Sequence, residues 1–465
     1  MLGNLLLPEI RELIAERKFG DLRTLLEDWQ PADIADLIGD LPEENRVIVF
    51  RLLPHALATD VFEYLDVENQ QHLLRGMAHE EAVAVLNEMS PDDRTALLEE
   101  LPSNVVTQLL RLLTPKERAV AQALLNYPEH SVGRLMTPDF LAVHDEWTIR
   151  EALDYIRVHG QESETLNVLY VVDEKGCLVD DLQIRELLIR PLETPISAFR
   201  DANFVALTVT DLETEAVEVF KKYDRSTLPV VDGNGVLVGI VTVDDVLDVA
   251  EEEATREIQK IGGMEALDEP YLTVSMPRMI QKRGPWLVAL FIGEMLTATA
   301  MAHFEEEIHK AVMLAVFLPL IISSGGNSGS QASTLIIRAM AVGEVRLRDW
   351  WRVMRRELTA GLLLGLLLGS LGILRIIVWS QVSTRLTGSS IYGEHSFLVA
   401  LTVGMTLIGV VLWGTISGSM LPFLLRRLGL DPATSSAPFV ATLVDVTGLI
   451  IYFTVAGYIL HGTLL

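Results

Sequence analysis

The sequence lacks the residues that secreted and thiol-ligated metal proteins need. Cys177 is the only cysteine, which excludes a disulfide within one chain and any zinc or iron–sulfur site built from several cysteines. The apolar start, MLGNLLLP, has no basic leader and continues into the charged run EIRELIAERK. We therefore expect no cleaved signal peptide and a cytoplasmic N-terminal region.

Basic residues are also scarce, because 37 Lys and Arg stand against 64 Asp and Glu, a net charge of −27. From residue 278 onward there are 14 basic and 10 acidic residues, so residues 1–277 hold the other 23 bases and 54 acids, a net of −31. Such an acidic region repels nucleic-acid phosphates and favours cations or basic surfaces as partners. We expect no nucleic acid among the partners.

Helix-breaking residues recur regularly through the first 125 or so residues. The breakers are LPEE (41–44), DVEN (66–69), SPDD (90–93) and TPKE (114–117), with LPH, MAHEE and LPSN interleaved. The spacing is about 24 residues with a half-repeat of about 12. Ser90 and Thr114, each followed by Pro and acids, are typical helix N-caps. The pattern predicts an all-α domain over residues 1–130, a stack of amphipathic helix hairpins.

Residues 131–248 change to a strand pattern that occurs twice. LYVVDEKG (169–176) and LPVVDGNG (228–235) match at an offset of 59, and each leads into a second apolar run and a helix start. With the extended and helical stretches before them, each copy follows the order β-α-β-β-α. This duplication resembles a tandem pair of CBS modules, small α/β domains that sense adenine nucleotides or ions.

The first copy departs from the CBS pattern. It has Asp180 and Asp181 where the second copy has Gly239 and Ile240. Two adjacent acids in place of a glycine and an apolar residue argue against a nucleotide pocket in the first copy.

A connection and a membrane domain follow. DVAEEEATREIQKI (248–261) predicts a charged connecting helix ending at Gly262 and Gly263, within a linker over residues 249–277. Five apolar stretches come next, each long enough to cross about 30 Å of hydrocarbon as a helix. They cover about residues 286–304, 312–337, 358–379, 397–421 and 437–461. We predict a five-span α-helical transmembrane domain over residues 278–465.

Basic residues flank these stretches on one side. They are Arg278, Lys282, Arg283, Arg338, Arg346, Arg348, Arg352, Arg355, Arg356, Arg426 and Arg427. The connection FEEEIHK (304–310), on the other side, is acidic. By the positive-inside rule, the N-terminus is cytoplasmic and the C-terminus lies outside. We expect a multi-pass protein of the cell membrane, in contact with lipid.

The fifth stretch, FVATLVDVTGLIIYF (439–453), is apolar except for Asp445. A charge at the bilayer centre costs about 2.5–3.5 kcal/mol on insertion scales, so an embedded carboxylate faces water, a partner or a pore. At comparable depth the only basic residue is Arg375, near the outer end of the third stretch. We interpret Asp445 as a ligand for a passing cation. The alternative is a protonated Asp that joins helices by hydrogen bonds.

Other polar groups are candidates for the same pathway. Asp431, in LGLDPATSS, precedes the last stretch at its cytoplasmic end, and Glu294, in FIGEMLTATA, is a second embedded acid that a structural hydrogen bond would equally explain. The second stretch contains Gly325, Gly326, Asn327, Ser328, Gly329 and Gln331. We expect its glycines to break the helix so that backbone carbonyls line a cavity. Close helix packing through small residues is the alternative.

Three membrane segments carry a family resemblance. GGNSGSQASTLIIRAMA, RDWWRVMRRELTAGLLLG and LPFLLRRLGLDPATSSAPFVATLVDVTGLIIYF, with the helical repeats and the CBS pair, closely resemble the MgtE family of magnesium channels and transporters. The resemblance covers the whole chain. It implies a homodimer with a pore on the dimer axis, lined by the second and fifth spans, where the residue matching Asp445 binds hydrated Mg²⁺. Mg²⁺ keeps several waters and is held through one or two carboxylates, so two Asp445 side chains would suffice.

The resemblance also implies a role for the acidic region. Magnesium would bridge carboxylates of the helical repeats, the second CBS module and the connecting helix, and so close the pore as negative feedback. The region holds the acids Asp60, Asp92, Asp93, Asp245, Asp248, Glu252, Glu253 and Glu257. Of these, all but Asp93 and Glu252 match positions that the family uses as magnesium ligands. Arg256 stands where a family ligand is expected, which predicts one weakened site. For each acid taken singly, a solvated surface charge is the alternative.

CBS modules bind ATP in many proteins. Thr227, Thr242 and Asp244 stand at positions suited to ribose and phosphate contacts, so ATP is a candidate modulator beside Mg²⁺. Two other hypotheses remain: a membrane-anchored nucleotide sensor without transport, and an intramembrane aspartyl protease. The protease needs a second Asp at equal depth, whereas Asp431 precedes Asp445 by 14 positions. We expect the protein not to be an enzyme.

Overall fold

The computed structural model describes residues 2–267, 271, 274–310, 312–387, 392 and 395–463. The chain forms two compact units, Met1–Glu251 and Glu252–Leu465. The first, here called the cytosolic unit because the sequence predicts that side of the membrane for it, contains the helical repeats and both CBS copies. The second, the membrane unit, contains the end of the connecting helix and all the apolar helices.

The N-terminal part of the cytosolic unit is all-α. Its helices are α1 (Leu2–Ala15), α2 (Phe19–Leu26), α3 (Pro31–Asp40), α4 (Glu43–Phe50), α5 (His55–Glu63), α6 (Val67–Gly76), α7 (His79–Glu88), α8 (Pro91–Glu99), α9 (Ser103–Leu112), α10 (Pro115–Leu125) and α11 (Val132–Leu135). From α3 to α10 the helices begin every 12 residues, which confirms the half-repeat. Alternate helices stack on one another, as α3 does on α1 and α5, around one apolar core.

Both predicted N-cap residues stand directly before a helix, but only Thr114 makes the predicted side-chain hydrogen bond. The Thr114 hydroxyl accepts a hydrogen bond from the backbone N–H of Glu117 at 3.3 Å, as an N-cap does. The Ser90 hydroxyl instead donates to Asp93 Oδ2 at 2.6 Å and leaves the first turn of α8 without a side-chain cap. The Asp93 carboxylate, three residues later in the sequence, therefore replaces the backbone N–H groups of the first turn as the partner of this hydroxyl.

The CBS pair has two matching three-stranded sheets. The first contains β1 (Ala142–His144), β2 (Val168–Val172) and β3 (Leu178–Gln183), with α12 (Ile149–His159) and α13 (Ile184–Ile189). The second contains β4 (Leu207–Thr208), β5 (Thr227–Val231) and β6 (Leu237–Thr242), with α14 (Glu213–Tyr223) and α15 (Val243–Ile261). In each, a parallel pair is followed by an antiparallel hairpin, so the predicted duplication at offset 59 is confirmed.

The acids in which the first copy departs from the CBS pattern have structural partners. Asp180 is 1% exposed, and its carboxylate accepts hydrogen bonds from the backbone N–H groups of Asp181 and Asp201 at 2.9 Å and of Ala202 at 3.2 Å. Asp181 forms an ion pair of 2.9 Å with Arg225 of the second copy. The two carboxylates therefore hold the loop between the copies and join the copies directly.

The connecting helix begins earlier than the sequence predicted. α15 runs without a break from Val243, in the second CBS copy, to Ile261. The predicted boundary between residues 248 and 249 therefore falls inside one helix. Gly263, just after it, has φ +74°, the left-handed conformation that glycine adopts at helix ends.

All five predicted apolar stretches are helices long enough to span a membrane, among the residues described. The helices of the membrane unit are α16 (Met276–His303), α17 (Glu305–Lys310), α18 (Val312–Ala315), α19 (Leu318–Ala341), α20 (Trp350–Thr387), α21 (Ser396–Arg427) and α22 (Ala437–Leu460). α21 lies centrally and packs on α19, α20 and α22, while α16 packs on α22. Val399, Val410 and Val444 belong to the core between them.

Candidate ion-binding sites

Two acids of the helical repeats and one of the second CBS copy form a cluster, here called the acidic cluster. Asp92 and Asp93 lie in the first turn of α8, and Asp245 lies in the first turn of α15. Asp92 is 9% exposed, and its Oδ1 has no hydrogen-bond partner among the described residues. A buried carboxylate oxygen without a partner is costly unless a cation joins it.

Burial and mutual repulsion raise the pKa values in the acidic cluster. Burial, and then the charges of Asp245 and Asp93, raises the pKa of Asp92 well above its ordinary range. Burial raises the pKa of Asp245 to about 7, with the charges of Asp244 and Asp93 adding to the effect and the Thr242 hydroxyl opposing it. Burial, and then Asp244, also raises the pKa of Asp248. The surroundings do not offset the negative charge of these carboxylates, so a cation bound among them would stabilise their charged form.

The structure adds two acids that the sequence did not single out. Glu63 accepts a hydrogen bond from the Ser90 backbone N–H at 2.7 Å, and burial raises its pKa to about 7, with Asp93 and Asp60 adding to the effect. Burial, and then Asp244 and Asp93, raises the pKa of Glu164. Glu63 follows the predicted ligand Asp60 by three residues, so its position on the same helix face was a usable signal. Glu164 lies in a loop and carries no such signal.

The candidate nucleotide residues divide between two environments. The Thr242 hydroxyl donates to Asp245 Oδ2, and the charge of Asp244 acts on Asp93, Glu164 and Asp245. Thr242 and Asp244 therefore adjoin the acidic cluster. Thr227 pairs with Thr242 across β5 and β6 and is 5% exposed, and its hydroxyl lies beside the buried Tyr170 hydroxyl of the first copy.

The connecting-helix acids within the membrane unit lie beside basic residues. Glu252 and Glu253 approach Arg256 at 3.4 and 3.6 Å. Burial, and then the charge of Glu253, raises the pKa of Glu257, while Arg338 and Lys260 oppose the shift. Arg256, at the predicted ligand position, thus supplies a positive charge of its own. Across the described part of the chain, no three His, Cys, Asp or Glu side chains are already arranged to hold a metal ion directly.

Asp431 joins the connecting helix to the start of the last span. Its Oδ2 lies 2.9 Å from Lys260 Nζ, and its Oδ1 accepts from the Ala433 backbone N–H at 2.9 Å. Burial alone would raise the pKa of Asp431, but these two hydrogen bonds outweigh it and lower the pKa. The predicted mouth carboxylate is therefore already engaged by a cation of the chain itself.

The expectation that glycines break the second span is wrong, because α19 is continuous from Leu318 to Ala341. A Cβ atom on Gly418 of α21 would lie 2.1 Å from the Gly329 carbonyl oxygen, and one on Gly325 would lie 2.3 Å from Val410 Cγ1. These glycines permit α19 and α21 to touch through their backbones, which is the close-packing alternative.

Asp445 lies against the remaining glycine of the cluster. A Cβ atom on Gly326 would stand 3.5 Å from Asp445 Oδ1, so no side chain of α19 separates the carboxylate from its backbone. Within the described residues Asp445 forms no hydrogen bond and no ion pair. Glu294 of α16 is exposed and close enough for its charge to act on Asp445. Glu294 also has no hydrogen bond to another residue in the described part of the chain.

A polar stripe runs along one exposed face of α19. Its residues are Ser323, Asn327, Gln331, Thr334 and Arg338, and all five are exposed. Their spacing of three or four positions places them on one side of an α-helix. Asn327 Nδ2 lies 3.4 Å from the Ser323 hydroxyl. The face is polar over most of the length of a membrane-spanning helix, which is unfavourable against lipid.

Comparison with known proteins matches the whole chain. Residues 318–455 match the MgtE divalent cation transporter family, 29–130 the MgtE intracellular N domain, and 132–188 and 196–252 the CBS domain. The Magnesium transporter MgtE of Thermus thermophilus is 38% identical over 456 residues (97% of this chain, 98% of the relative), and that of Bacillus subtilis is 30% identical over 452 residues (97% and 96%).

A solved structure matches the cytosolic half. The crystal structure of the cytosolic domain of the Mg²⁺ channel MgtE in complex with ATP is 36% identical, with a TM-score of 0.50, and the match covers 52% of this chain and 100% of that one. The predicted family is confirmed over helical repeats, CBS pair and membrane helices. This five-span chain is therefore a multi-pass membrane protein and belongs to the MgtE family of divalent cation transporters.

Proposed function

We propose that the protein conducts Mg²⁺ across the cell membrane through a pore formed by two copies of the chain. The observation that carries this proposal is the polar stripe of α19 beside Asp445. An exposed membrane face with Asn327, Gln331 and Arg338 is unfavourable in lipid, and a second copy would cover it. Two relatives with the name Magnesium transporter support the choice of ion.

The ion would pass with its water largely retained. Mg²⁺ dehydrates reluctantly, and one or two carboxylates suffice to hold it. Asp445 from each copy would supply two negative charges, while Asn327 and Gln331 would hydrogen-bond to the water shell. Asp445 has no competing partner among the described residues, so it is available to such an ion.

The test is Mg²⁺ uptake by proteoliposomes that contain the full-length protein. Asp445→Asn keeps the size of the side chain and removes its charge, so we expect at least a tenfold lower flux with normal folding. Asp349→Asn removes a carboxylate from a connection between spans and serves as the matched control, with flux close to that of the intact protein. Equal flux from Asp445→Asn and the intact protein would overturn the proposed pathway.

We also propose that cytoplasmic Mg²⁺ closes this pore by binding in the acidic cluster, with the N-terminus on the cytoplasmic side. Asp92, Asp93 and Asp245 would hold the ion, with Glu63 and Asp248 nearby. The unpartnered Asp92 Oδ1 and the raised pKa values of the cluster fit a cation there. Bound Mg²⁺ would supply the positive charge that these carboxylates lack, and would hold α8 against α15.

This sensor is tested by the Mg²⁺ concentration that halves the flux. Asp92→Asn with Asp245→Asn removes two ligand charges, so we expect that concentration to rise at least tenfold while flux at low Mg²⁺ is kept. The matched control is Glu9→Gln with Asp28→Asn, which removes two exposed acids of the helical repeats. Unchanged inhibition in the first pair would contradict the sensor and leave the pathway untouched.

ATP is a proposed modulator of the CBS pair. A similar cytosolic domain is described in complex with ATP, and the buried Thr227 hydroxyl lies beside Tyr170, where the two CBS copies meet. Thr227→Val keeps the shape and removes the hydroxyl, so we expect at least fivefold weaker ATP binding by calorimetry on the full chain. Equal affinity would remove Thr227 from the site.

A further inference from the structure

The start of α20 carries a basic and aromatic surface, here called the α20 foot: Arg348, Trp350, Trp351, Arg352, Arg355 and Arg356. Between residues 346 and 357 there are five arginines and only two acids, Asp349 and Glu357. Trp350 and Trp351 are 49% and 50% exposed, and the side chain of Arg352 is 85% exposed. Neither tryptophan side chain belongs to the hydrophobic core of the membrane unit.

The α20 foot continues an apolar ridge on the same helix. Leu363, Leu367, Leu371 and Leu374 are each more than half exposed, and they stand on the face of α20 away from α21. Arg352 and Arg356 precede this ridge at helical spacing, since Arg356 is seven positions before Leu363. The basic side chains therefore lie on the lipid-facing side of the helix.

The dimensions place these arginines at head-group level. From Leu358 to Val378 the helix extends about 30 Å at 1.5 Å per residue, which is the thickness of the hydrocarbon layer. Arg356 then lies about 3 Å and Arg352 about 9 Å beyond the hydrocarbon edge. Trp351 and Trp350 lie about 10 and 12 Å beyond the edge, on the water side of Arg352.

The charges of the α20 foot are only partly neutralised by the protein. Asp349 approaches Arg352 at 3.3 Å and also accepts from the Arg346 backbone N–H. The Arg355 guanidinium lies 5.5 Å above the Trp351 ring. An exposed pair such as Asp349 with Arg352 contributes little, and a guanidinium binds a phosphate through two parallel hydrogen bonds.

We propose that the α20 foot binds the head group of an anionic phospholipid in the cytoplasmic leaflet. Arg352 and Arg356 would contact the phosphate, and the leucine ridge would contact the chains. The positive-inside rule explains basic residues on this side of the membrane, but it does not explain the alignment of Arg352 and Arg356 with a lipid-facing ridge on the same face of the helix. The proposal does not depend on ion conduction.

The test uses the full chain with Leu363→Trp, on the exposed ridge, in vesicles with dibrominated phosphatidylglycerol or dibrominated phosphatidylcholine, whose bromines quench nearby tryptophan fluorescence. Subtracting the signal of the chain that keeps Leu363 isolates the added tryptophan. We expect stronger association of phosphatidylglycerol than of phosphatidylcholine. A basic residue near an anionic surface contributes about a fivefold preference, so Arg352→Gln with Arg356→Gln should lower the ratio about 5- to 25-fold.

The matched control is Arg426→Gln with Arg427→Gln, which removes two charges from the same side but from the end of the central helix α21. Its ratio should stay within a factor of two of the intact protein. Arg352→Lys with Arg356→Lys keeps the charges and should restore most of the preference. A ratio near one in the intact protein, or an equal loss in the control, would overturn the proposal. A ratio near one would favour an acidic protein surface, rather than a lipid, as the binding partner of the α20 foot.

Discussion

The cytosolic unit and the membrane unit use carboxylates in opposite ways. In the acidic cluster, Asp92, Asp93 and Asp245 stand together, and burial and repulsion raise the pKa of each. In α22, Asp445 stands beside the bare backbone of Gly326 and has no ion pair or hydrogen bond among the described residues. Several buried carboxylates that repel one another suit a site that holds a cation as a sensor. A single carboxylate beside a helix backbone without a side chain suits an ion that binds and leaves again.

The largest effect should come from the packing that supports Asp445. Gly418→Ala would place a Cβ atom 2.1 Å from the Gly329 carbonyl oxygen, so the helices must separate, at a cost of about 1–3 kcal/mol or more. Gly457→Ala, which has open space around it, should be neutral or slightly stabilising. Thermal unfolding of the detergent-solubilised protein measures both. Equal stability of the two variants would show that the glycine contact is not tight.

The acidic cluster should make the cytosolic unit sensitive to pH. A carboxyl whose folded pKa is raised to about 7, as at Asp245 and Glu63, holds its proton more tightly when folded. Without divalent ions, stability should therefore rise as pH falls from 8 towards 5, because the folded state takes up protons. A gain of about 1 kcal/mol would raise Tm by about 2–4 °C.

The pH effect has its own control. Asp245→Asn with Glu63→Gln removes both titrating groups, and the dependence on pH between 8 and 5 should flatten. Saturating Mg²⁺ should reduce it in the intact protein, since a bound cation favours the charged carboxylates. A cytosolic unit that becomes less stable as pH falls would contradict the account of the cluster.

The smallest effect should come from the joint between the connecting helix and the last span. Lys260 and Asp431 form a pair at 2.9 Å with side chains 43% and 46% exposed, and such pairs contribute about 0–1 kcal/mol. Lys260→Gln should change the Mg²⁺ concentration for half-closure by less than about fivefold. Lys260→Arg keeps the positive charge and should leave the original value unchanged. An equal shift in Lys260→Arg and Lys260→Gln would exclude the ion pair from gating.

Local patterns in the sequence were sufficient for much of the fold. The 12-residue half-repeat, the duplication at offset 59 and the five spans depend on spacing and hydrophobicity within short segments, and all are present. The features that the sequence did not predict depend on contacts between residues that are far apart in the sequence. Lys260 meets Asp431 across 171 positions, and Gly418 lies against Gly329 only because two spans pack. A glycine in a membrane helix favours a break and close packing alike, so the sequence left that choice open.

The candidate site was predicted only in part, for the same reason. Asp92 and Asp245 were predicted from the family resemblance and Asp93 from its place in the acidic region, and the structure brings the three together. Glu164 was missed because a loop acid has no periodic neighbours. Asp244 was assigned to a nucleotide, but its charge acts on the acidic cluster. The burial and charge repulsion in the cluster arise from contacts between distant parts of the chain, so no single segment of the sequence shows them.

The central claim is that the polar stripe of α19 faces its counterpart in a second copy across the pore. The chain has one cysteine, so Cys177→Ser gives a background in which single cysteines can be placed. With Asn327→Cys or Gln331→Cys, a short bifunctional thiol reagent should join two copies in the membrane. Leu363→Cys, on the lipid-facing ridge of α20, should stay monomeric. Cross-linking at Leu363 and none at either stripe position would contradict the account.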